Sequence, residues 1–187
     1  MILLGLGNPG ARYSKSRHNV GFKVIDEVSR LLSIQLKKPL FKPFALGRGE
    51  VKGEKVFLAK PLTYMNNSGS IILPLLDATK ALVDNLIVVC DNLDLPPGVC
   101  RFKKGGSSAG QKGLNSILQA LGTDQFIRLF IGIGRPEKQE EVVEYVLGNP
   151  VGEEAALINQ ACLKGAQGII KLLETNLEQV MNEINRR

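Results

Sequence analysis

The chain contains one histidine, His18, which lies eight residues after the last glycine of a turn at residues 5–10. Histidine is the side-chain type that ordinarily gains and loses a proton near neutral pH. Any general acid–base chemistry near neutral pH would therefore fall to His18. Other polar candidates come from separate segments, because Asn8 lies in the turn, Asn66 follows much later, and Asp91 comes directly after an apolar run.

The segment around His18 predicts a strand, a turn and a helix. Residues 2–6 form a short apolar run that ends in a turn with glycine and proline, which is typical of a buried strand. Apolar residues recur at helical spacing from Val20 onward, and Asn19 is placed to cap that helix. His18 is therefore expected just before the first helix begins.

The next part of the chain predicts a hairpin and then a helix. Residues 44–51 and 55–60 flank a Lys-Gly-Glu turn and indicate two antiparallel strands. A loop follows. The apolar segment near residues 70–82 then predicts a short helix with Ser70 as its cap and Pro74 in its first turn.

The remaining pattern completes an α/β architecture. Residues 86–90 predict a buried strand that brings Asp91 to its C-terminal edge, where α/β folds place their chemistry. An edge strand at 99–103, a helix, a strand at 127–133 and a helical stripe from about 153 to 186 follow. We expect a twisted, mixed and largely parallel sheet flanked by helices on both faces.

Composition narrows the class of protein. The 187 residues, 44% of them hydrophobic, suffice for one sizeable core, so we expect a single domain over residues 1–187. The 24 Lys and Arg residues exceed the 18 Asp and Glu residues, and the net charge of +6 favours a polyanionic partner such as RNA. Three cysteines without metal-ligand spacing indicate a reducing compartment and no metal site. Since no apolar run is long enough to span a membrane and no leader precedes the first strand, we expect a cytoplasmic protein without a membrane partner.

The first turn also fits a nucleotide-binding pattern. Gly5, Gly7 and Gly10 match G-x-G-x-x-G. In that motif the turn opens directly into a helix whose N-terminus holds the pyrophosphate. Here Pro9 and a stretch without helical periodicity come before the helix that begins near Val20. The sequence therefore argues against nucleotide binding.

Several blocks of sequence, in order along the chain, carry a resemblance to a known family. They are Gly-Leu-Gly-Asn-Pro-Gly at 5–10, Arg-His-Asn-Val-Gly at 17–21, Tyr-Met-Asn-Asn-Ser-Gly at 64–69, Asp-Asn-Leu-Asp-Leu-Pro-Pro-Gly at 91–98 and Ile-Gly-Ile-Gly-Arg-Pro at 131–136. With these blocks the chain resembles the bacterial-type peptidyl-tRNA hydrolases from residue 2 to about residue 149. The resemblance implies a monomeric α/β enzyme, without metal or cofactor, that cleaves the ester between a nascent peptide and the 3′ end of tRNA. Such an enzyme recycles tRNA from stalled translation.

The resemblance implies three catalytic residues. Ester hydrolysis needs a nucleophile, and because the chain lacks a G-x-S-x-G elbow, the simplest one is water activated by His18. Asp91 resembles the family's carboxylate that hydrogen-bonds the imidazole, fixes its tautomer and stabilises its cation. Asn8 matches an amide that helps to discriminate peptidyl from aminoacyl ends, and an amide can donate to a developing oxyanion. The alternative is that Asp91 is a helix or turn cap and that Asn8 only stabilises its turn.

Substrate contacts are implied for six further residues. They are Tyr13, Tyr64, Met65, Asn66, Lys103 and Lys112. A tyrosine ring can stack on a base or sugar of the tRNA 3′ end, methionine offers an adaptable apolar wall, and an asparagine amide can contact substrate beside the ester. The two lysines, with Arg101 and Lys104 nearby, surround a glycine-rich loop and a helix N-terminus suited to phosphate. Loop packing, core packing and solvated charge are the alternatives.

The chain departs from the family pattern at three positions. Gln111 and Lys112 replace a common His-Asn pair, and Phe130 replaces an arginine that often assists Lys103 in the tRNA phosphate clamp. Gln111 can hydrogen-bond but cannot act as an acid or base near neutral pH. The consequence is either weaker tRNA binding or compensation by Lys112.

Two other functions stay open at this point. One is a non-catalytic RNA-binding relative of the same fold, comparable to the intron-splicing paralogue of plant chloroplasts. The presence of His18 and Asp91 together with Asn8 and Asn66 favours the enzyme. The other is a cysteine hydrolase that pairs Cys90 with His18. The expected burial of Cys90 in a strand disfavours this second alternative.

Overall fold

The computed structural model describes residues 1–186 and is built around one six-stranded sheet. The strands are β1 (Ile2–Gly5), β2 (Phe44–Val51), β3 (Glu54–Pro61), β4 (Leu86–Asn92), β5 (Cys100–Lys104) and β6 (Ile127–Gly132). Their order in the sheet is β2-β3-β1-β4-β6-β5. The central pairings are parallel, and only the two edge strands, β2 and β5, pair in the antiparallel sense. The predicted mixed, largely parallel sheet is therefore confirmed.

Residues 1–186 also form six α-helices and several short 3₁₀ turns, and the last three helices follow β6. The helices are α1 (Val20–Leu32), α2 (Ile72–Thr79), α3 (Lys112–Leu121), α4 (Val142–Leu147), α5 (Gly152–Leu172) and α6 (Leu177–Ile184). The 3₁₀ turns that matter for function are Ala11–Tyr13, Arg17–Asn19 and Met65–Ile71. Within residues 1–186, none of the helices combines the length and the apolar character that crossing a bilayer requires.

The core lies on both faces of the sheet because successive apolar residues of the central strands β1 and β4 are buried on opposite faces. Side chains of a strand alternate between its two faces. Leu3 and Val89 accordingly belong to one core cluster with residues of α1 and α5, whereas Leu4 and Val88 belong to a second cluster with residues of α2 and α3. All four side chains are fully buried. The expected helices on both faces are confirmed.

Glycines let α1 lie directly on the backbone of the sheet. A Cβ atom at Gly21 would lie 2.4 Å from the carbonyl oxygen of Val89 and 2.5 Å from that of Leu6. A Cβ atom at Gly5 would lie 2.3 Å from the carbonyl oxygen of Gly21. Since the start of α1 rests on the ends of β1 and β4, the turn before α1 is held against the C-terminal edge of the sheet.

Two predicted helix caps are wrong. Asn19 stands at the N-cap position of α1, but its side chain makes no capping hydrogen bond and binds the backbone of Asn8 instead. Ser70 lies inside the 3₁₀ segment Met65–Ile71, and α2 begins only after Ile71. Pro74 does lie in the first turn of α2, as predicted.

Two helical features differ from the sequence pattern. The stripe from about residue 153 to residue 186 forms two helices, α5 and α6, and the side chain of Asn176 caps the second by accepting from the N–H of Gln179. The helix α4 is absent from the prediction, because its 6 residues span less than two turns.

Candidate active site

His18 and Asp91 meet although 73 positions separate them in the sequence. His18 lies in the 3₁₀ turn Arg17–Asn19, and Asp91 is near the C-terminal end of β4. The Nδ1 atom of His18 lies 2.9 Å from Oδ1 of Asp91, with side chains 11% and 3% exposed. A carboxylate only accepts hydrogen bonds, so Nδ1 carries the proton of a neutral imidazole and Nε2 keeps its lone pair.

A network behind His18 holds its turn in place. The backbone N–H of Arg17 donates to the carbonyl oxygen of Gly148, just after α4. The Arg17 guanidinium donates to both carboxylate oxygens of Glu154 on α5, at 2.7 and 2.6 Å, and lies 4.2 Å from the centre of the Tyr145 ring. These hydrogen bonds from Arg17 lower the pKa of Glu154. The turn that carries His18 is therefore tied to α4 and α5.

A second network fixes the orientation of Asn8. The side chain of Asn19 accepts from the N–H of Asn8 at 2.8 Å and donates to its carbonyl oxygen at 2.9 Å. The side-chain oxygen of Asn8 accepts from the N–H of Met65 at 2.8 Å. Because this contact uses the oxygen of the Asn8 amide, Nδ2 is left as a donor. Asn19 therefore contributes to the site by orienting Asn8, whereas its sequence position predicted a helix cap.

A cavity of about 320 Å³ lies over these side chains. Eight of the nine residues proposed from the sequence line it: Asn8, Tyr13, His18, Tyr64, Met65, Asn66, Asp91 and Lys112. The rings of Tyr13 and Tyr64 meet edge to face, with centroids 6.5 Å apart and an interplanar angle of 88°. Tyr64 is 62% exposed, which leaves its ring accessible at the mouth of the cavity.

One wall of the cavity comes from α4, which sequence reasoning missed. Val142, Val143, Val146 and Leu147 line the cavity, together with Leu93. The spacing of these four α4 residues places them on one side of a helix, and this spacing is the one signal in the sequence that could have indicated the wall. An apolar wall opposite polar groups is the usual composition of a ligand site.

Lys103 is the proposed residue that does not line the cavity. It lies exposed on the edge strand β5, opposite Arg128 of β6. Phe130 packs into the core with 6% exposure, and Arg128 is fully buried against the ring of Phe126. Burial lowers the pKa of Arg128. Lys103 therefore belongs to a separate basic edge of the sheet.

The cysteine alternative does not fit the structure. Cys90 is 1% exposed, and burial together with the neighbouring charge of Asp91 raises the pKa of its thiol well above the ordinary value. A buried, protonated thiol is not a nucleophile. In the part of the chain that the structure describes, no three His, Cys, Asp or Glu side chains are grouped as the ligands of a metal ion would be.

Comparison with known proteins places this site in a family. The model of the family described as peptidyl-tRNA hydrolase matches residues 2–187. The peptidyl-tRNA hydrolase of Bacillus licheniformis is 47% identical over 187 residues, covering 100% of this chain and 99% of the relative. That of Geobacillus kaustophilus is 45% identical over 184 residues and 98% of each chain. The crystal structure of the Acinetobacter baumannii peptidyl-tRNA hydrolase is similar with a TM-score of 0.93 at 35% identity, over 98% of this chain and 93% of the other. The chain with the buried His18–Asp91 pair thus belongs to the peptidyl-tRNA hydrolase family.

Proposed function

We propose that the protein hydrolyses the ester that joins a peptidyl or N-blocked aminoacyl group to the 3′ end of tRNA. The observation that carries the proposal is the buried hydrogen bond between His18 Nδ1 and Asp91 Oδ1, beside a cavity that both residues line. This bond leaves Nε2 of His18 as a base. Membership of a hydrolase family supports the same reaction.

In the proposed reaction water is the nucleophile. His18 Nε2 takes a proton from water as the water oxygen attacks the ester carbonyl carbon, and Asp91 stabilises the imidazolium. The carbonyl oxygen becomes an oxyanion, to which the Nδ2 group of Asn8 donates. The intermediate collapses by breaking the bond to the ribose oxygen, which receives the proton from His18. The products are the free carboxylic acid of the peptide and tRNA with its 3′-terminal hydroxyl.

The proposed substrate contacts follow the shape of the site. Tyr13 and Tyr64 flank the cavity with accessible rings, which suits stacking on the terminal nucleotide. Asn66 offers an amide beside Met65, and the exposed Lys112 offers a cation at the first residue of α3. Lys103 lies outside the cavity, so its proposed role is contact with phosphates further along the tRNA.

We propose that one chain in the cytoplasm is the active form. The proposal rests on the resemblance to the bacterial-type peptidyl-tRNA hydrolases, which implies a monomer. Light scattering of the purified protein across a concentration series is expected to give the mass of a single chain. A stable dimer would contradict the monomer proposal.

The decisive test compares the wild type with His18→Ala on N-acetylated aminoacyl-tRNA. We expect turnover by the wild type and a loss of at least about 100-fold in the variant, the low end of what a general base contributes. Unblocked aminoacyl-tRNA, which is expected to be a poor substrate, is the control. A wild-type protein that binds structured RNA without hydrolysing the ester would contradict the proposal and favour the RNA-binding alternative, which the His18–Asp91 pair currently disfavours.

A further inference from the structure

The buried side chain of Gln111 connects α3 to Asp91. Its Oε1 accepts from the N–H of Leu114 at 2.6 Å and so caps the N-terminus of α3. Its Nε2 donates to Oδ1 of Asp91 at 3.0 Å and also lies 3.1 Å from the sulfur of Met65. Gln111 is only 7% exposed, so both ends of the amide are committed to protein partners.

The partners of Gln111 determine which way its amide points. If the amide were reversed, Oε1 would lie against the carboxylate of Asp91 and the NH₂ group against the N–H of Leu114. Both contacts would then join like groups, two acceptors and two donors. Nε2 is therefore the atom that faces Asp91.

Two donors from different elements share one oxygen of Asp91. His18 Nδ1 comes from the turn before α1 at 2.9 Å, and Gln111 Nε2 comes from the start of α3 at 3.0 Å. The carboxylate cannot rotate without breaking one of these bonds. We infer that Gln111 is a positioning residue that holds Asp91, and through Asp91 the imidazole of His18, in the geometry of the reaction. This inference rests on the proposed hydrolysis.

An amide is suited to this role because it does not titrate. Its N–H groups remain donors at every pH at which His18 can act as a base. Asp91 therefore accepts a second hydrogen bond, from Gln111, without a further ionisable group beside the His18–Asp91 pair.

Gln111→Asn is the variant that separates the two bonds. Asparagine is a good N-cap residue and keeps α3 capped, but it is one methylene shorter and withdraws the donor from Asp91. Gln111 lines the cavity, but its amide is engaged by Asp91 and Leu114, so we expect kcat to fall roughly 10- to 100-fold with KM changed less than about twofold. Gln119→Asn, the same change on the exposed side of α3, is the matched control and is expected to retain the wild-type kcat.

Gln111→Met is the second variant, because it keeps the length of the side chain and removes both polar ends. It is expected to lose kcat as Gln111→Asn does and in addition to lower the melting temperature, since the cap is lost as well. Wild-type kcat in both variants would overturn the inference and leave Gln111 as a helix cap only.

Nuclear magnetic resonance of the ¹⁵N-histidine-labelled protein tests the inference without substrate. Because His18 is the only histidine, one imidazole gives all the signals. We expect the wild type to show the tautomer protonated at Nδ1 and Gln111→Asn to show a mixture of tautomers. Unchanged imidazole signals in Gln111→Asn would overturn the inference. If the wild type failed to hydrolyse the ester, the proposed function would fall, and the spectra would still decide whether Gln111 orders the pair.

Discussion

The hydrogen bond between His18 and Asp91 makes the tautomer of the His18 imidazole depend on the Asp91 carboxylate. Asp91→Asn keeps the shape of the side chain but replaces an acceptor by an amide, which can turn its NH₂ group toward His18 and favour the tautomer with the proton on Nε2. We expect kcat to fall by about 10²- to 10⁴-fold, since such a ring has no free base toward the cavity. Steady-state kinetics measure the change.

Asp94→Asn is the matched control for Asp91→Asn. Asp94 follows three positions later and pairs with Arg135 at 2.6 Å, and it does not line the cavity. Its substitution removes the same charge from the same segment and is expected to leave kcat unchanged. Equal kinetics of Asp91→Asn and the wild type would contradict the role proposed for Asp91.

Asn8 presents its donor because its oxygen is already engaged by Met65. In Asn8→Asp, one carboxylate oxygen can still accept from the N–H of Met65, and the other replaces the donor Nδ2. We expect a loss of about 10²- to 10³-fold in kcat/KM, because an oxyanion would lose a donor and meet a negative charge. Melting temperatures measured alongside the kinetics separate this loss from unfolding.

The exposed Asn67, next to Asn66, offers the control for that substitution. Asn67→Asp introduces the same charge in the segment Met65–Ile71 without touching the cavity. If Asn67→Asp lost as much activity as Asn8→Asp, the effect would be one of general charge and not of a donor at Asn8.

At the scale of elements, the site depends on how α4 and α5 are tied to the turn before α1. Hydrogen bonds from Arg17 lower the pKa of Glu154 below its ordinary value of 4.5. A carboxyl group whose pKa is lower in the folded state stabilises the fold above its unfolded pKa, and this contribution is lost as the pH falls through the folded value. The ion pair should therefore stabilise the protein at neutral pH and cease to do so in acid.

Glu154→Gln tests the link between these elements. We expect the variant to be less stable than the wild type at pH 7 by about 1–3 kcal/mol, because Arg17 loses a charged partner. The difference in melting temperature should shrink as the pH is lowered from 5 to 3. Glu153→Gln, at the exposed neighbouring position, is the control. A stability difference that stayed constant over this pH range would contradict the assignment.

Local patterns predicted the strands well and the connections between elements poorly. The predicted bounds match all six strands to within two residues, and the runs in β1 and β4 were the clearest because most residues of a central parallel strand are apolar and buried on both faces. The role of Asn19 could not be predicted from its sequence position, because an asparagine before a helix can either cap that helix or bind backbone elsewhere. Its partner Asn8 lies 11 positions earlier in the same connection between β1 and α1, and only the folded chain brings the two together.

The candidate site shows the same division. Ordered motifs pointed to His18, Asp91 and Asn8, and the fold places all three around one cavity. The bond from Gln111 to Asp91 depends on how α3 packs, which no local pattern specifies, whereas the wall from α4 left only the spacing of its apolar residues as a signal. Lys103 shows the converse: the edge strand that carries it was predicted, but its neighbours in sequence do not reveal that its side chain lies outside the cavity.

At the scale of the whole molecule, the candidate active site and a basic surface lie at different positions along the sheet. The net charge of +6 favours a nucleic-acid partner, and β5 at one edge of the sheet carries Arg101, Lys103 and Lys104. The cavity lies beyond the end of β4, nearer the middle of the sheet. A tRNA that reached both would place its 3′ end in the cavity and its phosphates along β5.

Salt dependence tests whether Lys103 contacts those phosphates. Each contact between a cation and a phosphate releases counterions, so kcat/KM at low substrate should fall as salt rises. We expect Lys103→Ala to reduce the slope of log(kcat/KM) against log[salt] by about 1 without changing kcat. Lys55→Ala, which removes an exposed lysine from β3 on the other side of the sheet, is the control and should keep the wild-type slope. Equal slopes for wild type, Lys103→Ala and Lys55→Ala would place the phosphate contacts elsewhere. Phe130 stands where relatives often have an arginine, and it is buried in the core and supplies no cation. The change in slope in Lys103→Ala should therefore be that of one phosphate contact.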